Sequence, residues 1–195
     1  MTSQDQAREA AQPRAASHEQ PKPAAHGRGE AETIAPVHLT PKGEALAKLL
    51  PSALEAFHPV VGADIDEVTC RVPRESVAEA CKVLKTDPRL TFDYLRLLTV
   101  VDYVAADHEF EAVYHIYSLE HRHKMVVKAR TPESDPWFPT VTSVWRGADW
   151  YEREMHDLFG VDFRGHPDLR KLILPDDFEG FPGRKDYPLH EYDEY

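Results

Sequence analysis

The chain has 195 residues, with 23 basic and 34 acidic side chains and a formal charge of −11. A chain this acidic repels phosphate backbones, and no window carries the basic stripe that nucleic-acid binding requires. Mean hydropathy is −0.53, and the longest strictly apolar runs, such as residues 172–174, fall far short of the ~20 needed to span a bilayer.

Residues 1–35 are rich in Ala, Pro and Gln, and up to Thr33 the only large apolar residue is Met1. Nothing there can bury a face, so a disordered tail is expected. It has no apolar stretch of the signal-peptide kind, and its acidic residues are interspersed with basic ones, unlike a transit peptide. Order is expected from Thr40, which can cap a helix that has Pro41 in its first turn and Leu46, Leu49 and Leu50 on one face. Pro51 is expected to interrupt that helix before a further turn through Phe57. Residues 60–65 and 68–72 read as a hairpin around Asp66 and Glu67. Over residues 74–85, Val77, Ala80, Cys81 and Leu84 recur at i, i+3, i+4, i+7, the stripe of an amphipathic helix that Asp87-Pro88 ends.

Residues 92–103 predict a short helix through Leu95 and then a strand from Leu98. Residues 110–119 and 124–131, rich in aromatic and β-branched side chains, predict a second hairpin around the polar turn 120–123. The order helix, two strands, helix, three strands defines an α+β fold, a two-layer sandwich with a mixed sheet. We place this domain at residues 36–135. From Pro132 onward seven of the 16 prolines appear, so residues 136–195 are expected to hold a short helix and extended chain with little core of their own. Cys70 and Cys81, one in a predicted strand and one in a predicted helix, read as small buried hydrophobes in a reducing compartment. Two cysteines cannot ligate an iron–sulfur cluster alone.

Residues 149–174 are the densest in charge. Asp149 with Glu152 three residues on is a capping-box pattern, and Gly160 sits where a helix-ending glycine belongs, predicting a helix over 150–159. Tyr151, Met155, Leu158 and Phe159 share one face, and Arg153 with Asp157 forms an i, i+4 pair on the other. Glu152, Glu154, His156, Asp157 and His166 invite a metal or acid–base reading, but no HExxH or comparable framework supports it. The rival is a solvated charged face. The aperiodic chain that follows, with Gly165, His166 and Pro167 fixing a turn, is best explained as an extended segment whose backbone groups a partner surface satisfies.

These residues carry a family resemblance. Glu152-Arg153-Glu154, Asp157-Leu158-Phe159-Gly160, Gly165-His166-Pro167, Arg170 with Leu172-Ile173, and Arg184-Lys185-Asp186-Tyr187 resemble the signature of the C subunit, the thirty-kilodalton subunit, of NADH-quinone oxidoreductase, respiratory complex I. The chain departs from the pattern at Phe181-Pro182-Gly183, where the family often carries a histidine–proline pair. The tail before Thr33 lies outside the resemblance.

The resemblance implies a subunit without catalytic residues, metal or cofactor of its own, FMN and the Fe–S clusters being carried by partner subunits. It implies a hetero-oligomer with the D subunit, the forty-nine-kilodalton subunit of complex I, and with the neighbouring terminal-cluster subunit. The chain is then peripheral, on the cytoplasmic side of a bacterial inner membrane, and meets that membrane only through the complex. The signature residues, Glu152, Arg153, Glu154, Asp157, Phe159, Gly160, Gly165, His166, Pro167, Arg170, Arg184, Asp186 and Tyr187, are then expected at subunit interfaces. Arg153, Arg164, Arg170 and Arg184 are expected to pair with partner carboxylates or with Glu152, Glu154 and Asp157. The acidic end of the chain, with Phe178, Phe181, Tyr187, Tyr192 and Tyr195, is expected to wrap a basic groove, the alternative being disorder after Leu189. Alternatives are the equivalent subunit of a membrane-bound hydrogenase or an F420- or ferredoxin-dependent complex, a stand-alone enzyme using Glu152, Glu154 and His166, and a free adaptor domain.

Overall fold

A computed structural model describes residues 38–188. The tail expected to be disordered over 1–35, and the aromatic residues Tyr192 and Tyr195, lie outside the described residues. Helix α1 (Pro41–Ala53) opens as its sequence predicts, with the Thr40 hydroxyl accepting the Gly43 N–H at 3.2 Å and proline in the first turn. It runs through Pro51 instead of stopping there. A proline in the last turn removes one backbone donor while Leu54 still donates to Leu50 O at 2.9 Å, so the helix ends two residues later.

Strands β1 (Val60–Asp64) and β2 (Glu67–Arg71) form the expected antiparallel hairpin. Helix α2 (Val77–Thr86) buries all four residues of its predicted stripe, Val77, Ala80, Cys81 and Leu84. Strand β3 (Tyr94–Asp102) starts where a short helix was expected. It pairs with β4 (Glu109–Tyr117) through almost its whole length, with one irregularity between Leu95 and Leu97. Long-range pairing overrides the local helical preference there. A four-residue helix, α3 (Val104–Asp107), links the two strands. Strand β5 (Lys124–Pro132) completes the second hairpin, and Ser118 N–H to His123 O at 2.9 Å closes its turn.

The sheet order is β1-β2-β5-β4-β3, antiparallel except where β2 and β5 run parallel. It is therefore the mixed sheet of an α+β sandwich. Val68 and Cys70 of β2, Leu98 and Val100 of β3, Ala112, Tyr114 and Ile116 of β4, and Met125, Val127 and Ala129 of β5 are buried in one core with Leu46 and Leu50 of α1 and the α2 stripe. This is the period-2 alternation that one covered sheet face demands.

The residues after 135, expected to have little core of their own, pack into the main core. Strands β6 (Trp137–Pro139) and β7 (Asp162–Arg164) pair in parallel around helix α4 (Ala148–Phe159), a small unit the sequence did not announce. Phe138, Val141, Val144, Trp145, Met155, Val161 and Phe163 join the main core. Trp145 Nε1 donates to Phe92 O at 3.0 Å, and Lys85 Nζ donates to Val144 O, which ties the loop before α4 to the α2 layer. The boundary drawn at residue 135 marks a loss of regularity within one packed body.

Candidate functional site: the signature helix and the segment it holds

Helix α4 has no side-chain cap at Gly147, so Asp149 and Glu152 do not form the expected capping box. Glu152 instead turns inward and is fully buried. Its Oε1 accepts the Val141 N–H at 2.7 Å and its Oε2 accepts the Thr140 hydroxyl at 2.5 Å. Burial pushes the carboxyl up to about 7, against the opposing pull of those two donors and with a further rise from Asp149.

His166, on the turn after β7, lies beside Glu152 with its side chain wholly enclosed. Its Nδ1 accepts the Asp168 N–H at 3.0 Å, which in this arrangement assigns the ring proton to Nε2. Nε2 lies 3.6 Å from Asp149 Oδ1 and 3.9 Å from Glu152 Oε2. Neither Nε2 nor Asp149 Oδ1 has a hydrogen-bond partner among the described residues. The structure thus gathers Asp149, Glu152 and His166 beside Thr140, joining α4 to the ends of β6 and β7.

Asp157 acts on the chain that follows. Its Oδ2 accepts the N–H groups of Leu172 at 3.2 Å, Ile173 at 2.8 Å and Leu174 at 2.8 Å. Burial raises its pKa, but the three backbone donors, with Lys171 nearby, outweigh that and hold it below the usual carboxylate value. Arg153 reaches the same stretch from the carbonyl side, donating to Arg170 O at 3.1 Å and Lys171 O at 3.2 Å. One turn of helix therefore grips both polarities of one extended backbone. Lys171 Nζ continues the pattern onto Pro175 O, Asp176 O and Phe178 O.

The C-terminus of α4 is closed by residues far along the chain. Gly160 takes φ +69° and donates to His156 O at 2.9 Å, and a Cβ there would lie 2.6 Å from the Phe181 ring. Gly183 N–H donates to Leu158 O at 2.9 Å, and Arg184 Nε donates to Phe159 O at 2.7 Å. The Arg184 guanidinium lies over the rings of Phe110 and Phe181, and Lys185 N–H donates to Asp102 Oδ2 at 2.9 Å. Phe178 stacks with Tyr187 at 6.1 Å between ring centroids.

Several expectations change accordingly. Arg153 and Asp157 do not pair with each other but each hold backbone of residues 170–174. Residues 172–174 have their amides satisfied within the chain, not by a partner. None of Arg153, Arg164, Arg170 and Arg184 pairs with Glu152, Glu154 or Asp157; Arg164 meets Asp135 at 3.1 Å and Arg170 meets Asp168 at 3.1 Å. Glu154 stands apart from Glu152 and His166, on a surface groove with Tyr94, Trp150 and Ile173. Pro167, Arg170 and Asp186 are exposed, and Gly165 supplies a φ of +87° to the turn that carries His166. Thr140 and Asp102 were not singled out from the sequence, and Met155 was read only as part of an apolar face, because their roles depend on partners that only the fold brings near. Among the described residues, no group of three or more His, Cys, Asp or Glu could hold a metal ion, and no helix is long and apolar enough to cross a membrane.

The α+β body is shared with a chain of an archaeal respiratory membrane complex. A chain of the archaeal membrane-bound sulfane sulfur reductase aligns with a TM-score of 0.65 at 28% identity, covering 79% of this chain and 96% of that one. A trypsin-resistant fragment of Nqo5 (1-134) aligns with a TM-score of 0.52 at 29% identity, covering 64% and 98%. The chain belongs to the family of the 30 kDa subunit of respiratory-chain NADH dehydrogenase, whose model matches residues 70–193. It is similar to the C 2 subunit of the NADH-quinone oxidoreductase of Rhizobium meliloti, 48% identical over 121 residues that cover 62% of this chain and 66% of the relative. The corresponding C 2 subunit of Rhizobium etli is 46% identical, with coverages of 62% and 64%. The C subunit of Salinispora arenicola is 42% identical over 147 residues, with coverages of 75% and 60%. The chain thus spans 60–66% of the length of these three curated relatives.

Proposed function

We propose that this chain is a cofactor-free structural subunit in the hydrophilic arm of a proton-translocating NADH-quinone oxidoreductase. It packs against the forty-nine-kilodalton D subunit and the terminal-cluster subunit, on the cytoplasmic side of a bacterial inner membrane. NADH oxidation, electron passage through FMN and Fe–S clusters, and quinone reduction belong to its partners. The observation that carries this reading is where the signature charges go. Arg153 and Asp157 are spent on the backbone of residues 170–174, and Glu152 on residues 140–141. Residues used this way fix shape, and shape is what electron transfer between separate subunits requires of a scaffold.

A second reading is supported by the likeness to the sulfane sulfur reductase chain, 96% of which is covered: the equivalent subunit of a related membrane complex with another electron donor. The assembly purified through a tag on this chain distinguishes the two. Oxidation of NADH with quinone supports the first reading, and oxidation of hydrogen or reduced ferredoxin without NADH activity supports the second.

A further inference from the structure

Tyr94, Trp150 and Ile173 are 52%, 66% and 54% exposed, and all three line one groove between the start of β3, the outer face of α4 and the extended segment. The groove is built on fixed backbone. Tyr151, in its wall, donates from its hydroxyl to Arg96 O at 3.1 Å, and the Ile173 amide is held by Asp157 at 2.8 Å. Its apolar contacts are therefore presented with little ordering left to do on binding. Glu154 lies on the same groove, half-buried. Unlike Arg153 and Asp157 beside it, Glu154 makes no hydrogen bond or ion pair with the other described residues.

We propose that this groove docks a segment of another subunit that presents an arginine or lysine between apolar side chains. This rests on the reading of the chain as a subunit of a respiratory complex, and adds where one contact falls and what it recognises. The apolar side chains fill the space between Trp150, Tyr94 and Ile173, and the cation meets the Glu154 carboxylate. Aromatic anchors around one desolvated charge pair are the usual composition of an interface centre. The charge argues against a second copy of this chain, whose net charge is −11 and which would bring acidic surface to an acidic site.

The test uses the full chain in its native assembly, with the photo-crosslinking residue p-benzoylphenylalanine at Trp150 and, separately, the variants Glu154→Lys, Glu154→Gln and Trp150→Ser. The expected result is one crosslinked peptide from a different subunit, containing Arg or Lys flanked by apolar residues. Glu154→Lys is expected to lower recovery of the chain in the assembly by roughly tenfold or more, and Glu154→Gln by less, because reversal adds repulsion where neutralisation only removes attraction. The side chains are on the surface, so thermal unfolding of the isolated variants should match that of the parent chain. Crosslinking to a second copy or to an acidic peptide overturns the proposal, as does full recovery of both Glu154→Lys and Trp150→Ser in an intact assembly. In those cases the subunit reading stands. Absence of the parent chain from any large assembly overturns both.

Discussion

The Val100 N–H, on the outer edge of β3, donates to Met155 Sδ of α4 at 3.1 Å, and both residues are buried. An edge strand normally leaves such donors open to water or to another strand. Here a helix covers part of the edge, and a thioether, a weak acceptor, satisfies the amide, with the Thr99 hydroxyl 3.7 Å from the same sulfur. Met155→Leu keeps the volume but orphans the amide, so a loss of about 1–3 kcal/mol is expected. Urea unfolding measures it, and faster hydrogen exchange at Val100 should accompany it.

Asp157 provides the acceptor for three consecutive amides, and nothing else described replaces it. Asp157→Ala is expected to cost about 2–4 kcal/mol. Hydrogen exchange should accelerate at Leu172, Ile173 and Leu174 while the β4–β5 amides keep their protection. Uniform loss of protection throughout the sheet would contradict this local role.

Glu152 and Asp157 give stability opposite dependences on pH. The Glu152 carboxyl is raised from 4.5 to about 7, so the folded chain holds that proton more tightly than the unfolded chain does. Its contribution is fully present below about pH 4.5 and is lost as pH rises through about 7, amounting to roughly 3 kcal/mol. Asp157 is lowered from 3.8, so its contribution is present above that value and is lost as pH falls through the folded value. Glu152→Gln should remove this decline from the variant's own stability, so that the difference between parent and variant falls between about pH 4.5 and 7. An unchanged slope would show that folding does not raise the Glu152 carboxyl.

Burial raises the thiol of Cys70 to about 11, and raises that of Cys81 further, with Cys70 and Glu152 adding to the shift. At pH 8 neither should react with a disulfide reagent in the folded chain, whereas both should react in denaturant. The isolated folded chain should also contain no stoichiometric iron or flavin.

The regular elements were legible because their signals are local. The α2 stripe and both hairpins follow from side-chain periodicity, and Thr40 with Pro41 announces α1. The signature helix was legible in extent but not in the destination of its charges. An i, i+4 pair is a sound expectation for an exposed helix. Arg153 and Asp157 instead face residues 15 to 18 positions away, and no spacing rule reports such a partner. Glu152 misled for the same reason: a carboxylate three residues after Asp149 satisfies the capping-box pattern whether it turns back to the helix start or, as here, into the core.

The central claim is that this chain is a structural subunit whose form serves an assembly. Its most direct test is to tag the full chain in its host, solubilise the membranes mildly, and probe the recovered assembly for the forty-nine-kilodalton D subunit, for parent and Asp157→Ala chains side by side. The parent is expected to bring down that partner stoichiometrically in a large membrane-associated assembly, and the variant to lose it. A parent chain recovered as a soluble monomer without the D subunit would contradict the claim.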